Sequence, residues 1–577
     1  MNIICFDRAD VLCRPDEVRK ILCLTPSSYM EARLGGLDAS STVDIFSDYD
    51  HARCVAAARQ ARQEMDVAVK HSSLPEAIKH MARQSVWTVA AVIQRLERTL
   101  PRGRMEVRDR TGRWRSVFGF EEAANVLFPR IIESGLGHRL RGRRPPAGGL
   151  YERLSRLATI RRRGTPVVVT SAKLKLGFDR MMEQTGLVLR RIDLTSGSWR
   201  DYPHLLTALL RQNGVIAVAP VAVTDEEFRS CCAELSRFAA ALTHRGTRAA
   251  WVMYQPYLQA NLAGMLALRR HAERLGRAGD TPVAAVSYEA NGWASAAVLD
   301  GAHQAGGETV IINHNCHSRT GDAITDDVID TLFDQRKRAP FVTRAVHWTP
   351  SDAAYIGSRS RPGEPQGLSC RLSYPAVIAR RAAEPFRIIH AGNYQNWSDF
   401  FPWVAETSDE FVRGIRLLSE AVAGLEGVEL EFRIRPKFEA DADVVRRSVV
   451  AADNIRVTST DEDFLTRLSN SELLITYFST TVMQSLQMGL PVLLWGSTRR
   501  FTQVPARTVP PDATSRSAVY AVEDAADLRP MLAAIRDHHR GRPLSESELS
   551  AYRFDSDVGD AACIAATLRD SIIRSAE

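Results

Sequence analysis

Paired cysteines are what this sequence most lacks. The 577-residue chain has nine, at 5, 13, 23, 54, 231, 232, 316, 370 and 563. Only Cys231 and Cys232 are close neighbours, and adjacent residues rarely form a disulfide. No CxxC or Cys/His cluster offers a zinc site. A scattered, odd set fits a reducing compartment. The N-terminus "MNIICFDRADVLCRPDE" meets an acid at Asp7, so its apolar run is too short for a signal peptide. These absences lead us to expect a cytoplasmic protein without a metal centre. Long apolar spans are missing too. "LLITYFSTTVMQSLQMGLPVLLW" (Leu473–Trp495) has no charge and the length of a span, but Ser479, Thr480, Thr481, Gln484, Ser485 and Gln487 interrupt it. It reads as two buried strands with a helix between them.

Catalytic signatures are equally sparse. GxxxxGK[ST] does not occur, and neither GxGxxG nor GxSxG occurs at a suitable strand–helix turn. That argues against a kinase-type NTPase, an ordinary dehydrogenase and an α/β-hydrolase. Net charge is +7, a mild excess for this length. "HRLRGRRPPAGG" (His138–Gly149) and "RRRG" (Arg161–Gly164) place seven arginines close together. This is either a solvated linker or a contact for anionic lipid or substrate. No nucleic-acid motif accompanies it, so no nucleic-acid partner is expected.

What the sequence does have is alternation of strands and helices. Residues 1–150 read as a mixed α/β region, with "NIICF", "KILCL" and "VDIFSDYD" as strands and an alanine-rich helix after them. A Pro/Gly/Arg-rich junction follows. From about 164, "TPVVVTS", "LVLRRIDL", "GVIAVAPVAV" and "RAAWVMYQ" read as strands, then "VAAVSY", a helix from Asn291 to Ala305 stopped by Gly306-Gly307, and "TVIINHN". "RAVHWTPSDAAYIG" repeats the theme, with Ser351 as a helix cap. A second series starts near 385 with "FRIIHAGN", "VELEFRIRPK", "NIRVTS", "ELLITYFS" and "LPVLLWG" as strands. Such alternation predicts parallel sheets covered on both faces. We expect an N-terminal α/β region (1–150), a first Rossmann-like domain (151–383) and a second one (384–577) ending in a helix.

In open parallel sheets, ligands bind at the carboxyl ends of strands. Four loops there carry chemistry. In "TYFSTTVMQ", Ser479, Thr480 and Thr481 open a helix, where hydroxyls either bind an anion or merely cap the turn. In "FRIRPKF", Arg433 and Arg435 share a strand face, and Arg435 and Lys437 lie near the sheet edge. In "IIHAGN", His390 and Asn393 are placed to hydrogen-bond a phosphate or sugar, or to serve structure. In "SYEANGW" and "INHNCHS", Glu289 and His314 are candidate general bases, with a simple helix-start acid as the alternative for Glu289.

The run "SELLITYFSTTVMQSLQMGLPVLLWG" resembles the donor-binding domain of GT-B glycosyltransferases. More narrowly, it is similar to bacterial surface-polysaccharide transferases using CMP-activated sugars (polysialyl-, sialyl- and Kdo-transferases). "RPK" stands where their "HP" motif would be, and "STT" where their Ser/Thr motif would be. "YEANGWASAAVLDGAHQAGGETVIINHN" resembles a segment of surface-carbohydrate biosynthesis proteins, with "NHN" in place of a "QHG"-like triplet. The resemblance spans roughly residues 165–520. It implies an α/β GT-B fold: two tandem Rossmann-like domains facing a cleft, plus the N-terminal α/β extension. It further implies a metal-independent transferase, with a CMP-linked nonulosonate or Kdo donor and a capsule or lipopolysaccharide glycan or glycolipid acceptor. The inner face of the membrane would be touched through 139–163, and no cofactor is needed beyond the nucleotide sugar. Arg435, Lys437, Ser479, Thr480 and Thr481 would hold the phosphate, and His390 and Asn393 the nucleotide. Glu289 or His314 would be the base. Gln484 departs from the Glu that holds a ribose in many retaining members. Arg435 replaces a His, and a guanidinium does not release its proton. A nucleotide-sugar epimerase of the same fold and a non-catalytic glycan-assembly protein remain open.

Overall fold

The computed structural model describes residues 3–6, 20–23, 29, 32–34, 42–44, 51–100, 102–108, 113–135, 167–171, 187–194, 214–218, 225–277, 283–313, 323–324, 326–327, 330–331, 338–357, 366–371, 385–392, 406, 408–434, 442–459, 464–496, 502–555 and 558–574. The two expected domain junctions, near 150 and 383, lie outside these residues, as does the Arg-rich 139–163 stretch.

Three sheets follow one another. The first contains β1 (Ile3–Phe6), β2 (Lys20–Cys23), β3 (Thr42–Asp44), β4 (Arg104–Arg108) and β5 (Trp114–Phe118), in spatial order β3-β2-β1-β4-β5. Its strands are parallel except β5, which returns antiparallel to β4. Helices α1 (His51–Lys70), α2 (Glu76–Thr99) and α3 (Gly119–Gly135) belong to this region.

The second sheet contains β6 (Val167–Thr170), β7 (Val188–Leu194) and β8 (Gly214–Val218). Two helices follow, α4 (Asp225–Ala241) and α5 (Arg245–Arg277). Then come β9 (Val283–Ser287), α6 (Trp293–Gln304), β10 (Thr309–Ile312), β11 (Arg344–His347), α7 (Pro350–Gly357) and β12 (Gln366–Ser369). Its order is β12-β11-β10-β9-β6-β7-β8, all parallel.

The third sheet starts with β13 (Phe386–Ala391), α8 (Ser408–Ala423), β14 (Val428–Arg433), α9 (Ala442–Ser448), β15 (Ile455–Thr458) and α10 (Phe464–Leu468). It continues with β16 (Leu473–Thr476), α11 (Thr481–Gln487), β17 (Val492–Leu494) and β18 (Val519–Ala521). Its order is β15-β14-β13-β16-β17-β18, all parallel. The chain then runs through α12 (Ala525–His539), α13 (Glu546–Leu549) and α14 (Ala561–Arg574). These are two tandem Rossmann-like parallel sheets behind an N-terminal α/β region, the fold class expected from the sequence.

Both central sheets are dry on both faces, which explains their unbroken apolar strands. In β6, Val167 and Val169 face the cluster that holds α5 and α6, while Val168 faces a second cluster. That second cluster is filled by Ile564, Ala565 and Leu568 of α14, so the last helix of the chain closes the back of the second sheet. Helix α5 has 33 residues and buries Trp251, Tyr254, Tyr257, Leu258, Leu262 and Met265. It crosses α6 so closely that a Cβ on Gly301 would lie 2.1 Å from the Arg269 carbonyl oxygen.

Two local expectations are corrected. "RAAWVMYQ" is not a strand but part of α5. Its aromatic and β-branched residues suit either state, and only the recurrence of Ala250, Tyr254, Tyr257, Asn261 and Met265 along one face reveals the helix. The cap of α7 is Thr349, not Ser351: the Asp352 N–H donates to Thr349 Oγ1 at 3.0 Å. The stop after α6 is as expected. Gly306 has φ +77, and the Gly306 and Gly307 N–H groups donate to His303 and Ala302. "LLITYF…LPVLLW" is β16, α11 and β17. Among the described residues no helix is long and apolar enough to cross a membrane.

Candidate functional site

Each parallel sheet has one place where successive crossovers turn to opposite sides, so the strand-end loops diverge and leave a crevice. In the third sheet this lies between β13 and β16, which pair through His390 and Ile475. In the second it lies between β6 and β9. The residues at these two points define the candidate site.

At the third sheet, β13 ends in His390 and Ala391, and Gly392 follows. His390 is only 5% exposed. Its ring meets Phe432 edge-on at 5.1 Å, and its Nδ1 has no hydrogen-bond partner. Burial alone pushes its pKa down to about 4, so the ring is neutral at ordinary pH. Gly392 lies beside that ring and Phe411, and a Cβ there would meet both at 3.5 Å, an ordinary contact. Across the crevice, Thr476 Oγ1 donates to the Ala391 carbonyl at 2.9 Å, fixing the ends of β13 and β16 together. On the other side of β13, Arg433 stands opposite Ala391 in register. It is buried, with its guanidinium carbon 5.9 Å from the centre of the Phe464 ring.

The Ser/Thr turn follows β16. Ser479 Oγ accepts the Thr481 N–H at 3.2 Å, so this hydroxyl acts as the turn's cap. The Ser479 backbone is clamped at both ends by the fully buried Gln503. Its N–H donates to Gln503 Oε1, and Gln503 Nε2 donates to its carbonyl, both at 2.9 Å. Thr481 Oγ1 is enclosed and has no hydrogen-bond partner. Thr480 and Gln484 are half-buried one turn apart, on one face of the short helix. Gly496, at the end of β17, makes room: a Cβ there would lie 2.6 Å from Glu406 Oε1 and 2.5 Å from the Tyr477 ring. Sequence reasoning missed Gln503 and Glu406, and neither has a local signal. Both are lone polar residues in irregular segments.

At the second sheet, Ser171 follows β6 and its Oγ lies 2.9 Å from Ser295 Oγ in the first turn of α6. Glu289 is half-buried after β9, in a turn where Ser287 Oγ donates to the Glu289 carbonyl at 3.0 Å. The N-terminal region reaches the same turn, because Gln84 Nε2 donates to the Asn291 carbonyl at 3.4 Å. Sequence reasoning missed the Ser171–Ser295 pair, which only the adjacency of β6 and β9 brings together. The two sheets also meet in the core. Tyr477 belongs to the same apolar cluster as Ala290, and Phe478 packs against that cluster.

Of the residues expected at the site, Glu289, His390, Ser479, Thr480, Thr481 and Gln484 fall at these strand ends. His314, Asn393, Arg435 and Lys437 lie outside the described residues. Among the described residues, no group of three or more His, Cys, Asp or Glu side chains could hold a metal ion.

No family model and no curated protein matches this chain. Several solved structures are similar to it in part. The UDP-GlcNAc 2-epimerase from Neisseria meningitidis bound to UDP-GlcNAc is 9% identical with a TM-score of 0.41, over 71% of this chain and 99% of that one. MurG of Acinetobacter baumannii is 11% identical with a TM-score of 0.36, over 70% of this chain and 99% of that one. The spinosyn rhamnosyltransferase SpnG is 13% identical with a TM-score of 0.35, over 70% of this chain and all 100% of that one.

Proposed function

We propose that this chain is a GT-B-type glycosyltransferase that takes a sugar from a nucleotide-activated donor to a glycan acceptor. One observation carries the reading. The third sheet has the order in which dinucleotide-binding sheets receive their ligand, and its crevice strands end in His390 and the Ser479–Thr481 turn. The donor nucleotide sits there. The neutral His390 ring and the Thr480 and Thr481 hydroxyls offer hydrogen bonds, while Ser479 and Gln503 hold the turn in shape. Arg435 and Lys437 follow β14, the neighbour of β13, and supply positive charge. Charge builds on the leaving phosphate as the glycosidic bond breaks, so donors fixed in advance act where they matter most. Glu289, with His314 as the alternative, takes the proton of the acceptor hydroxyl from the second sheet. The donor class is a CMP-linked nonulosonate or Kdo-type sugar, and the acceptor a bacterial surface glycan.

Thermal stability with CMP, UDP, GDP and CDP tests this, since a ligand of the native state raises stability with its affinity and concentration. CMP should give the largest shift. A larger shift with UDP would keep the transferase and replace the donor class. No shift with any nucleotide would reject the reading. Conversion of the donor sugar in the absence of acceptor would point instead to an epimerase.

A further inference from the structure

The first sheet ends in a hairpin that exposes two large apolar side chains. Strands β4 and β5 set Arg104 opposite Phe118, Glu106 opposite Ser116 and Arg108 opposite Trp114. The alternate residues Met105, Val107 and Val117 point into the core, where Ala123, Ala124, Leu127 and Phe128 of α3 meet them. Trp114, Ser116 and Phe118 therefore lie on the opposite side of the strand from Val117. Trp114 is 40% exposed and Phe118 68%, a high degree for such large apolar side chains. Arg104 extends between the strands, its Nε on Ser116 Oγ at 2.6 Å.

The charge of this segment is out of proportion. "RGRMEVRDRTGRWRSVF" (Arg102–Phe118) contains six arginines and two acids, a net +4. The whole chain carries +7, so one short hairpin supplies more than half of it. Arg102, Arg104, Arg113 and Arg115 are all exposed.

We propose that the β4–β5 hairpin docks the protein on an anionic lipid surface. Trp114 and Phe118 stand on one side of a strand, four residues and about 14 Å apart, so they reach a common depth in a flat layer. Of the exposed arginines, Arg104 shares this face, where it lies 3.7 Å from Glu106, while Arg102, Arg113 and Arg115 flank it, and these guanidiniums meet lipid phosphates. The same spacing is too wide for successive stacked bases of a single strand, which need rings on neighbouring positions. Pairing of β5 with β5 of a second copy would bring the exposed Arg115 of each into the new pair, and charges of this kind are what keep an edge strand apart. This surface is separate from the Arg-rich 139–163 stretch and does not depend on the nucleotide site.

Flotation of the full-length protein tests the proposal. The vesicles are phosphatidylcholine alone or phosphatidylcholine mixed with phosphatidylglycerol. Wild type should float with the anionic vesicles only. The Trp114→Ala/Phe118→Ala double variant should bind them roughly tenfold less, with unchanged thermal stability because both side chains are exposed. Arg104→Glu should weaken binding in the same direction. A wild type that stays in solution with both vesicles overturns the proposal, and so does a double variant that floats as well as wild type. It is equally overturned if the double variant floats normally while losing a wild-type dimer or a wild-type affinity for labelled oligonucleotide.

Discussion

The two parallel sheets end in unlike crevices. At the second sheet hydroxyls pair locally, Ser171 with Ser295 and Ser287 with the Glu289 carbonyl, while Asn291 Oδ1 and Gln84 Oε1 beside them have no hydrogen-bond partner. At the third sheet, hydrogen bonds hold the frame and leave its inner edge bare. Thr476 ties β16 to β13 and Gln503 clamps Ser479, yet His390 Nδ1 and Thr481 Oγ1 have no hydrogen-bond partner. A buried polar atom without a partner costs about 1–3 kcal/mol, so folding alone does not favour such groups. Both crevices keep unpartnered polar atoms, and the difference is their place: on the strand end and the following helix turn at the third sheet, and on a loop and a helix of the N-terminal region at the second.

The comparison can be broken most strongly at Glu289. If it is the base, Glu289→Gln should slow transfer about a hundredfold or more while nucleotide affinity stays as in wild type. Near-normal turnover by a folded variant would remove Glu289 from the mechanism.

Gly301 tests the seating of the second crevice as a whole. A Cβ there strikes the Arg269 carbonyl, so Gly301→Ala should cost about 3 kcal/mol by forcing α6 off α5. Serine pair and Glu289 turn would shift together, and transfer should fall while the nucleotide still stabilises the third sheet. A normal unfolding midpoint in urea would mean that the two helices can part without cost.

Acid should act on the third unit through its histidines. His390 and His539 are both buried, and burial lowers each to about 4. The unfolded imidazole titrates near 6.5, so below that the unfolded chain binds protons first. Stability is full above about 6.5 and falls towards about 4, by about 3 kcal/mol for each histidine. Urea midpoints followed from neutral to mildly acidic pH should show this slope, reduced by about half in His390→Gln. An unchanged slope in that variant would place the acid sensitivity elsewhere.

Ser479 gives the smallest expected effect. As the cap of its turn, Ser479→Ala should cost about 1 kcal/mol of stability. Its effect on nucleotide affinity should be smaller than that of a change at Thr481. A large loss of affinity without loss of stability would make Ser479 a ligand contact instead.

Much of the fold was legible because strands buried on both faces read as short apolar runs between Gly, Pro and polar turns. "FRIIHA", "LLIT" and "PVLL" are such runs. The error at "RAAWVMYQ" came from a window too short for the helical period to appear, and the full 33 residues of α5 make it plain. The site was legible only as separate loops. Sequence placed His390 and the Ser/Thr turn at strand ends, but not on neighbouring strands, because the order β13-β16 is a property of the sheet rather than of either segment. Ser171, Ser295 and Gln503 gave no signal at all, since their partners are distant in sequence. The charged hairpin escaped notice for another reason. Its arginines are spread among apolar residues and form no run.

Calorimetric titration of CMP against wild type, Thr481→Val and Ser171→Ala tests the central claim most directly, since it sets one crevice against the other. If the unpartnered Thr481 hydroxyl meets the nucleotide, binding should weaken about tenfold in Thr481→Val and stay at the wild-type value in Ser171→Ala. Full affinity in Thr481→Val together with a loss in Ser171→Ala would place the nucleotide at the second sheet and contradict the account.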